Sequence, residues 1–189
     1  MLKDTVLKNR SYRRFHESET IDYSVLKDLV DLARLTPSSV NFQPLRYKII
    51  NDKTDNEKVF KTLSWAGLLK DWDGPAPGER PSAYIVILTE LSVASNMKTD
   101  VGIVAQTIML GAVEQGYGGC MLGSIKRDML AESFDIDLDK YSIDLVLALG
   151  KPNETVKIVE LPETGDTKYY RTNDDVHCVP KRKLKDILI

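Results

Sequence analysis

Three arginines and a serine crowd into five residues at Arg10-Ser11-Tyr12-Arg13-Arg14. Guanidinium forks match phosphate oxygens in pairs, and a serine adds a close donor, so this run is a concentrated anion site. The competing reading is a solvated basic turn, the usual fate of a charge run. A second group, Thr36 to Pro44, sets Ser38, Ser39, Asn41 and Gln43 between or beside Pro37 and Pro44. Prolines stiffen such a loop, and its uncharged amides and hydroxyls can hydrogen-bond a heteroaromatic ligand. A plain helix-to-strand connection needs fewer of these groups. A third group, Tyr117 to Ile125, carries Gly118, Gly119, Gly123 and Ser124. Glycines let a backbone approach a flat ligand closely, although a bulged strand explains them as well. The fourth is Lys181-Arg182-Lys183, otherwise a basic tail.

The elements that must position these groups are readable in outline. Asp4 to Asn9 reads as a short helix with Val6 and Leu7 facing inward. Asp22 suits the N-cap of a helix whose stripe is Val25, Leu26, Leu29, Val30, Leu32 and Ala33. Thr36-Pro37 ends it, because the residue before a proline avoids the helical region. Leu45 to Asn51 alternates as a strand, and Asn56 to Leu69 is expected to be helical. A Gly/Pro-rich loop, Asp71 to Pro81, leads into Ala83 to Thr89, a buried strand by its unbroken apolar run. Thr99 to Gln115 is apolar on nearly every side, which places that helix in the core. Tyr117 to Leu122 and Ile143 to Gly150 read as strands around a short helix, Lys126 to Phe134. From Lys151 the chain turns polar and is expected to be irregular. Helices alternating with buried strands leave α/β and α+β open, with one mixed sheet in a single domain, 1–189.

Composition removes several classes. With 26 Lys and Arg against 28 Asp and Glu, the net charge is −2, so no nucleic-acid partner is expected. The longest nearly apolar run, Val101 to Val113, falls short of the roughly 20 residues a membrane span needs. The N-terminus shows no signal core, so the cytoplasm is the expected compartment. Cys120 and Cys178 have no metal or CxxC spacing, and His16 and His177 are the only histidines, so no metal site is expected. Gly116, Gly118, Gly119 and Gly123 follow a helix, not a strand, so they are not a dinucleotide fingerprint.

Taken in order, Arg-Ser-x-Arg at 10–13, Pro-Ser-Ser-x-Asn-x-Gln-Pro at 37–44, the glycine-rich strand after an apolar helix and the basic C-terminal run resemble the nitroreductase family. The resemblance spans essentially the whole chain. It implies an α+β fold with a mixed, mainly antiparallel sheet flanked by helices, in an intertwined homodimer. It implies non-covalent FMN, with NAD(P)H as electron donor and a small oxidised substrate such as a nitroaromatic or quinone. Arg10 and Ser11 would hold the phosphate, and Arg13 would sit at the N1–C2 edge of the flavin ring. Ser38, Ser39 and Asn41 would reach the flavin from the partner subunit. Gly123 and Ser124 would offer a backbone N–H to flavin N5. Lys181 and Arg182, with Lys183 as a third member, would close over the phosphate from a C-terminal arm, about 151–189, packed on the partner. No side-chain acid or base is then obligatory.

Only the stretch Glu90 to Thr99 joins the central strand to the core helix, where larger family members carry a helical excursion over the substrate pocket. The flavin face is therefore expected to be more open, or roofed by Trp65 to Arg80. Other readings are a different flavin chemistry on the same fold, such as reductive dehalogenation or flavin destruction, and a phosphate- or nucleotide-binding module without turnover.

Overall fold

Two apolar runs build the centre. Ala83–Glu90 (β2) and Tyr141–Gly150 (β4) pair antiparallel. Successive residues of a strand point to opposite faces, so the stretches buried on both faces, 83–88 and 146–149, are apolar throughout. Ile85, Ile87, Leu147 and Leu149 enter one core. Tyr84, Val86, Val146 and Ala148 enter the other. Leu45–Ile50 (β1) and Gly118–Leu122 (β3) complete an antiparallel sheet of order β1-β2-β4-β3. This computed structural model describes residues 1–69 and 72–189. Asp71, where the Gly/Pro-rich loop is expected to begin, lies outside the described residues with Lys70.

Helices cover both faces of the sheet. Tyr23–Arg34 (α2) and Lys98–Glu114 (α4) pack on one face through Leu26, Leu29, Val104, Ala105 and Ile108. Lys53–Lys61 (α3) and Arg127–Ser133 (α5) pack on the other through Val59 and Leu130. Leu2–Lys8 (α1) docks on the end of α4, where the Thr5 hydroxyl donates to Glu114. Cys120 and Cys178 are both buried, unpaired thiols. No helix is long and apolar enough to cross a membrane, and no metal-binding cluster occurs among the described residues.

Several expectations need correction. In α1 the inward residue is Thr5, while Val6 and Leu7 are 40% and 48% exposed. A two-turn helix is too short for its apolar residues to fix its facing. Asp22 occupies the N-cap of α2 without bonding through its side chain. Asp52 does so for α3, accepting from the N–H groups of Thr54 and Asp55. That cap starts α3 early, and the helix stops at Lys61 rather than Leu69. The core helix α4 is not enclosed: Gly102, Ile103 and Gln106 lie on an exposed face.

The chain after Lys151 is not irregular. Val156–Glu160 (β5), Tyr170–Arg171 (β6) and His177–Lys181 (β7) form a second sheet of order β5-β7-β6. The β5 and β7 strands run parallel, which makes the whole fold mixed although the main sheet is antiparallel. Pro180 lies in the middle strand, a position that proline normally argues against. After β7 the chain ends with Leu184, Ile187, Leu188 and Ile189 all exposed.

Candidate functional site

The edge of β3 is the place where the N-terminal basic turn meets the glycine-rich strand. Ser11 bridges to Gly119, and the Tyr12 N–H donates to the Gly119 carbonyl at 2.9 Å. Gly118 permits this approach: a Cβ there would lie 2.6 Å from the Tyr12 ring. Here the glycine makes room for the chain itself rather than for a ligand. Gly123 differs, because a Cβ there would meet only Leu145, at 4.0 Å. Backbone groups two apart in a strand face the same side. Met121 therefore turns its N–H and C=O toward the edge that Gly119 offers to Ser11, and Gly123 lies one residue past the strand, its C=O 3.5 Å from the Arg127 guanidinium. From Gly119 to Gly123 is about 13 Å of strand. Past its end, Ser124 accepts from the Ser64 N–H at 3.1 Å.

Glu154 fastens the basic turn. One oxygen accepts the backbone N–H groups of Arg13 and Arg14, and the other pairs with Arg171 at 2.6 Å. The Glu154 side chain is only 2% exposed. Arg14 adds ion pairs to Glu79 and Asp175. The Arg13 guanidinium is buried; it donates to the Ser11 carbonyl at 3.2 Å, stands 3.3 Å from His177 Nε2 and lies over the Tyr169 ring at 4.8 Å. Burial, reinforced by the Arg13 charge, pushes His177 down to about 4, so its ring is neutral near neutral pH. Arg10 donates to the Val6 carbonyl at 2.7 Å. The Nε atoms of Arg10 and Arg13 are buried without a partner.

The second hydrogen-bonding group lies at the opposite edge. Residues 36–44 lead into β1, three strand spacings or about 14 Å across the sheet from β3. Asp100, in the first turn of α4 and 2% exposed, is its anchor. It accepts the Ser38 hydroxyl at 2.6 Å and the Ser39 N–H at 3.1 Å. The Ser38 oxygen in turn accepts the Gln43 N–H at 3.0 Å. Val40, Asn41 and Gln43 have φ of 51°, 58° and 51°, a left-handed run that lifts the loop tip into solvent. Val40 is 81% exposed there. The cavity behind the loop holds about 140 Å³, below the roughly 300 Å³ where ligand pockets begin. Burial pushes Tyr47 in its wall up to about 12.

One chain thus brings Arg10, Ser11, Arg13, Gly123 and Ser124 to one sheet edge and leaves Ser38, Ser39 and Asn41 at the other. Lys181 and Arg182 are exposed at the end of β7, about 13 Å of strand beyond His177. Lys183 pairs with Glu160 at 3.5 Å. Trp65 is buried beside Phe60, and Trp72 stacks under Arg14 and Arg171. Asp100, Glu154, Tyr169 and His177 escaped the sequence reading. Asp100 alone left a signal, as the one carboxylate within the first turn of an apolar helix.

Comparisons with known proteins agree with this architecture. The model of the nitroreductase family matches residues 6–151, which includes the basic turn, the 36–44 loop and β3 but not the C-terminal run. A Bacillus subtilis (strain 168) protein provisionally named an NAD(P)H nitroreductase, YdgI, is 26% identical, over 75% of this chain and 84% of its own. A provisionally assigned nitroreductase from Desulfovibrio desulfuricans, solved in complex with FMN, superposes with a TM-score of 0.71 at 17% identity. That match covers 100% of this chain and 95% of the other. Another FMN complex, from Exiguobacterium sibiricum 255-15, gives 0.70 at 20% identity, over 89% and 97%.

Proposed function

The chain belongs to the nitroreductase family, and from that premise we propose that it is an FMN-dependent oxidoreductase taking electrons from NAD(P)H. Its second substrate is a nitroaromatic, a quinone or another small oxidised molecule. The observation that carries this reading is the open edge of β3, with a basic turn clamped at one end. The edge fits the group on two counts: Arg10 Nε is a buried donor without an acceptor, and Gly123 leaves open space beside its backbone.

In this reading Arg10 and Ser11 bind the FMN phosphate, and the backbone N–H at Gly123 and Ser124 orients the ring at N5. When bound, FMN supplies the two-electron redox chemistry. Arg13, held by Ser11, His177 and Tyr169, places a fixed positive charge at the N1–C2 edge and favours the negative charge gained there on reduction. The seven residues between β2 and α4 contain no helix, which leaves that face accessible to flat acceptors.

We further propose that a homodimer completes the site. A flavin on the β3 edge is out of reach of Ser38, Ser39 and Asn41 of the same chain, since β4 and β2 intervene. A second copy can present them. The exposed α4 face, Val40, Phe42 at 51% exposure and the bare C-terminal residues all need a surface that a second copy would supply. The same arm would carry Lys181 and Arg182 to the phosphate. Two unpaired, buried thiols accord with a cytoplasmic location.

Mass spectrometry of the ligand released by heat tests the cofactor; FMN is expected, and FAD or no flavin would sink the reading. Anaerobic mixing with NADH and NADPH should bleach the flavin band with at least one donor. Light scattering tests the shared site, and a yellow, FMN-saturated monomer would overturn it.

A further inference from the structure

The three arginines of the basic turn are held in different ways. Arg14 pairs with the carboxylates of Glu79 and Asp175. Arg10 donates to the Val6 carbonyl. Arg13 is the buried one, and among the described residues its guanidinium meets neutral acceptors only. Glu154 touches Arg13 at its backbone N–H and spends its other oxygen on Arg171. The difference matters physically. A carboxylate would hold the guanidinium and also cancel its charge, whereas a neutral acceptor orients it and leaves the charge in force.

Two neutral acceptors do this, the Ser11 carbonyl at 3.2 Å and His177 Nε2 at 3.3 Å. Ser11 is two residues away and moves with the turn. The Tyr169 face adds a cation–π contact, which fixes distance better than direction. His177 is therefore the directional contact from outside the turn. Its own N–H donates to the Thr155 carbonyl at 2.9 Å, and its ring packs 5.1 Å from that of Tyr169.

A guanidinium has donors and no acceptor, so the His177 Nε2 facing it must be the bare nitrogen, and Nδ1 carries the proton. Nδ1 has no partner among the described residues, so the contact with Arg13 decides the tautomer. Burial and the Arg13 charge keep the ring neutral near neutral pH. Tyr169 and His177 both lie beyond residues 6–151, so this support comes from outside the stretch that the family model matches.

We propose that His177 is a positioning residue for the flavin reaction. Its Nε2 lone pair aims the Arg13 guanidinium at the N1–C2 edge without cancelling its charge, and so raises the midpoint potential of the bound flavin. This rests on the flavin reading above. A positive charge fixed at that edge favours the reduced form, and one that swings toward water is screened.

Midpoint potentials of the FMN-loaded protein, measured anaerobically against a reference dye, test the proposal in two variants. His177→Leu removes the acceptor. The reduced flavin should then bind about tenfold more weakly relative to the oxidised one, a fall of about 30 mV for a two-electron couple. His177→Gln offers a carbonyl oxygen in place of Nε2 and should restore the parent potential. A merely structural role would weaken both redox states alike and leave the potential unchanged. Nitrogen NMR of the histidine rings in the FMN-loaded parent does not depend on the folding of any variant. At neutral pH it should show His177 with its proton on Nδ1. A parent-like potential in H177L, an equal fall in H177Q, or a proton on Nε2 overturns this proposal and leaves the flavin reading standing. A parent protein that binds no FMN overturns both.

Discussion

The two edges of the main sheet solve one problem in different ways. Each holds a polar segment in place with a buried carboxylate. At the β1 edge Asp100 binds a hydroxyl and an N–H of a neutral loop. At the β3 edge Glu154 binds two N–H groups and the Arg171 guanidinium. Asp100 sits near the positive end of α4, so helix and carboxylate reinforce each other locally. Glu154 instead ties the N-terminal turn to the C-terminal sheet. The first device fixes a loop; the second fastens two distant parts of the chain. The β3 edge should therefore be the more sensitive to loss of its anchor.

Glu154→Ala is the strongest test. It leaves the part-buried Arg171 without its closest counter-ion, with only Asp175 remaining, and orphans the N–H groups of Arg13 and Arg14, so a loss of up to about 3–5 kcal/mol is expected. A fall in the urea midpoint smaller than that of Asp100→Ala would reverse the comparison.

Acid should act on the β3 edge next. His177 titrates near 4 when folded and near 6.5 when unfolded. The unfolded chain thus binds the proton first, so stability holds above pH 6.5 and falls as pH drops toward 4. The loss is at most about 3 kcal/mol. Carboxylates add their own acid sensitivity, so the measured quantity is a difference. His177→Gln should flatten the stability profile between pH 6.5 and 4 relative to the parent. An unchanged slope would show that burial and the Arg13 charge do not hold the ring neutral.

Asp100→Asn keeps the shape of the β1-edge anchor and removes its charge. About 1–3 kcal/mol should be lost in denaturant unfolding, since charge-assisted bonds to Ser38 and Ser39 weaken. If the loop serves the partner's flavin, FMN affinity should fall while the reduction rate at saturating FMN stays near normal. The smallest effect belongs to Val40→Asn. A β-branched residue is unfavourable at φ 51°, and asparagine tolerates it. A gain of about 0.5–1 kcal/mol is expected by thermal unfolding, and a loss would mean that the Val40 side chain is buried in the assembled protein.

The sequence discloses elements whose signal is local. The apolar runs at 83–88 of β2 and 146–149 of β4 are legible because burial on both faces leaves no polar positions there, and the long helix α4 is legible by its few charges. The Arg10 turn and the 36–44 loop are legible as concentrations of hydrogen-bonding groups. The anchors are not, because Glu154 lies 141 residues from Arg13 and Asp100 lies 62 from Ser38. In a sequence such carboxylates look like any solvated charge. The small sheet is hidden for another reason: Pro180 in its middle strand speaks against a strand, and the parallel β5–β7 pairing that includes it has no local signature.

The two thiols give this molecule a pair of internal clocks. Cys120 belongs to the main sheet and Cys178 to the small one, at 3% and 5% exposure. A thiol reagent can reach either only after the sheet around it opens. With reagent in excess and reclosing fast, each labelling rate reports the opening equilibrium of its own sheet. Peptide mapping of a timed alkylation would therefore measure whether the Glu154 clasp makes the two sheets open as one unit. Equal rates at Cys120 and Cys178 mean a single cooperative block, and faster labelling at Cys178 means a C-terminal sheet that peels away first.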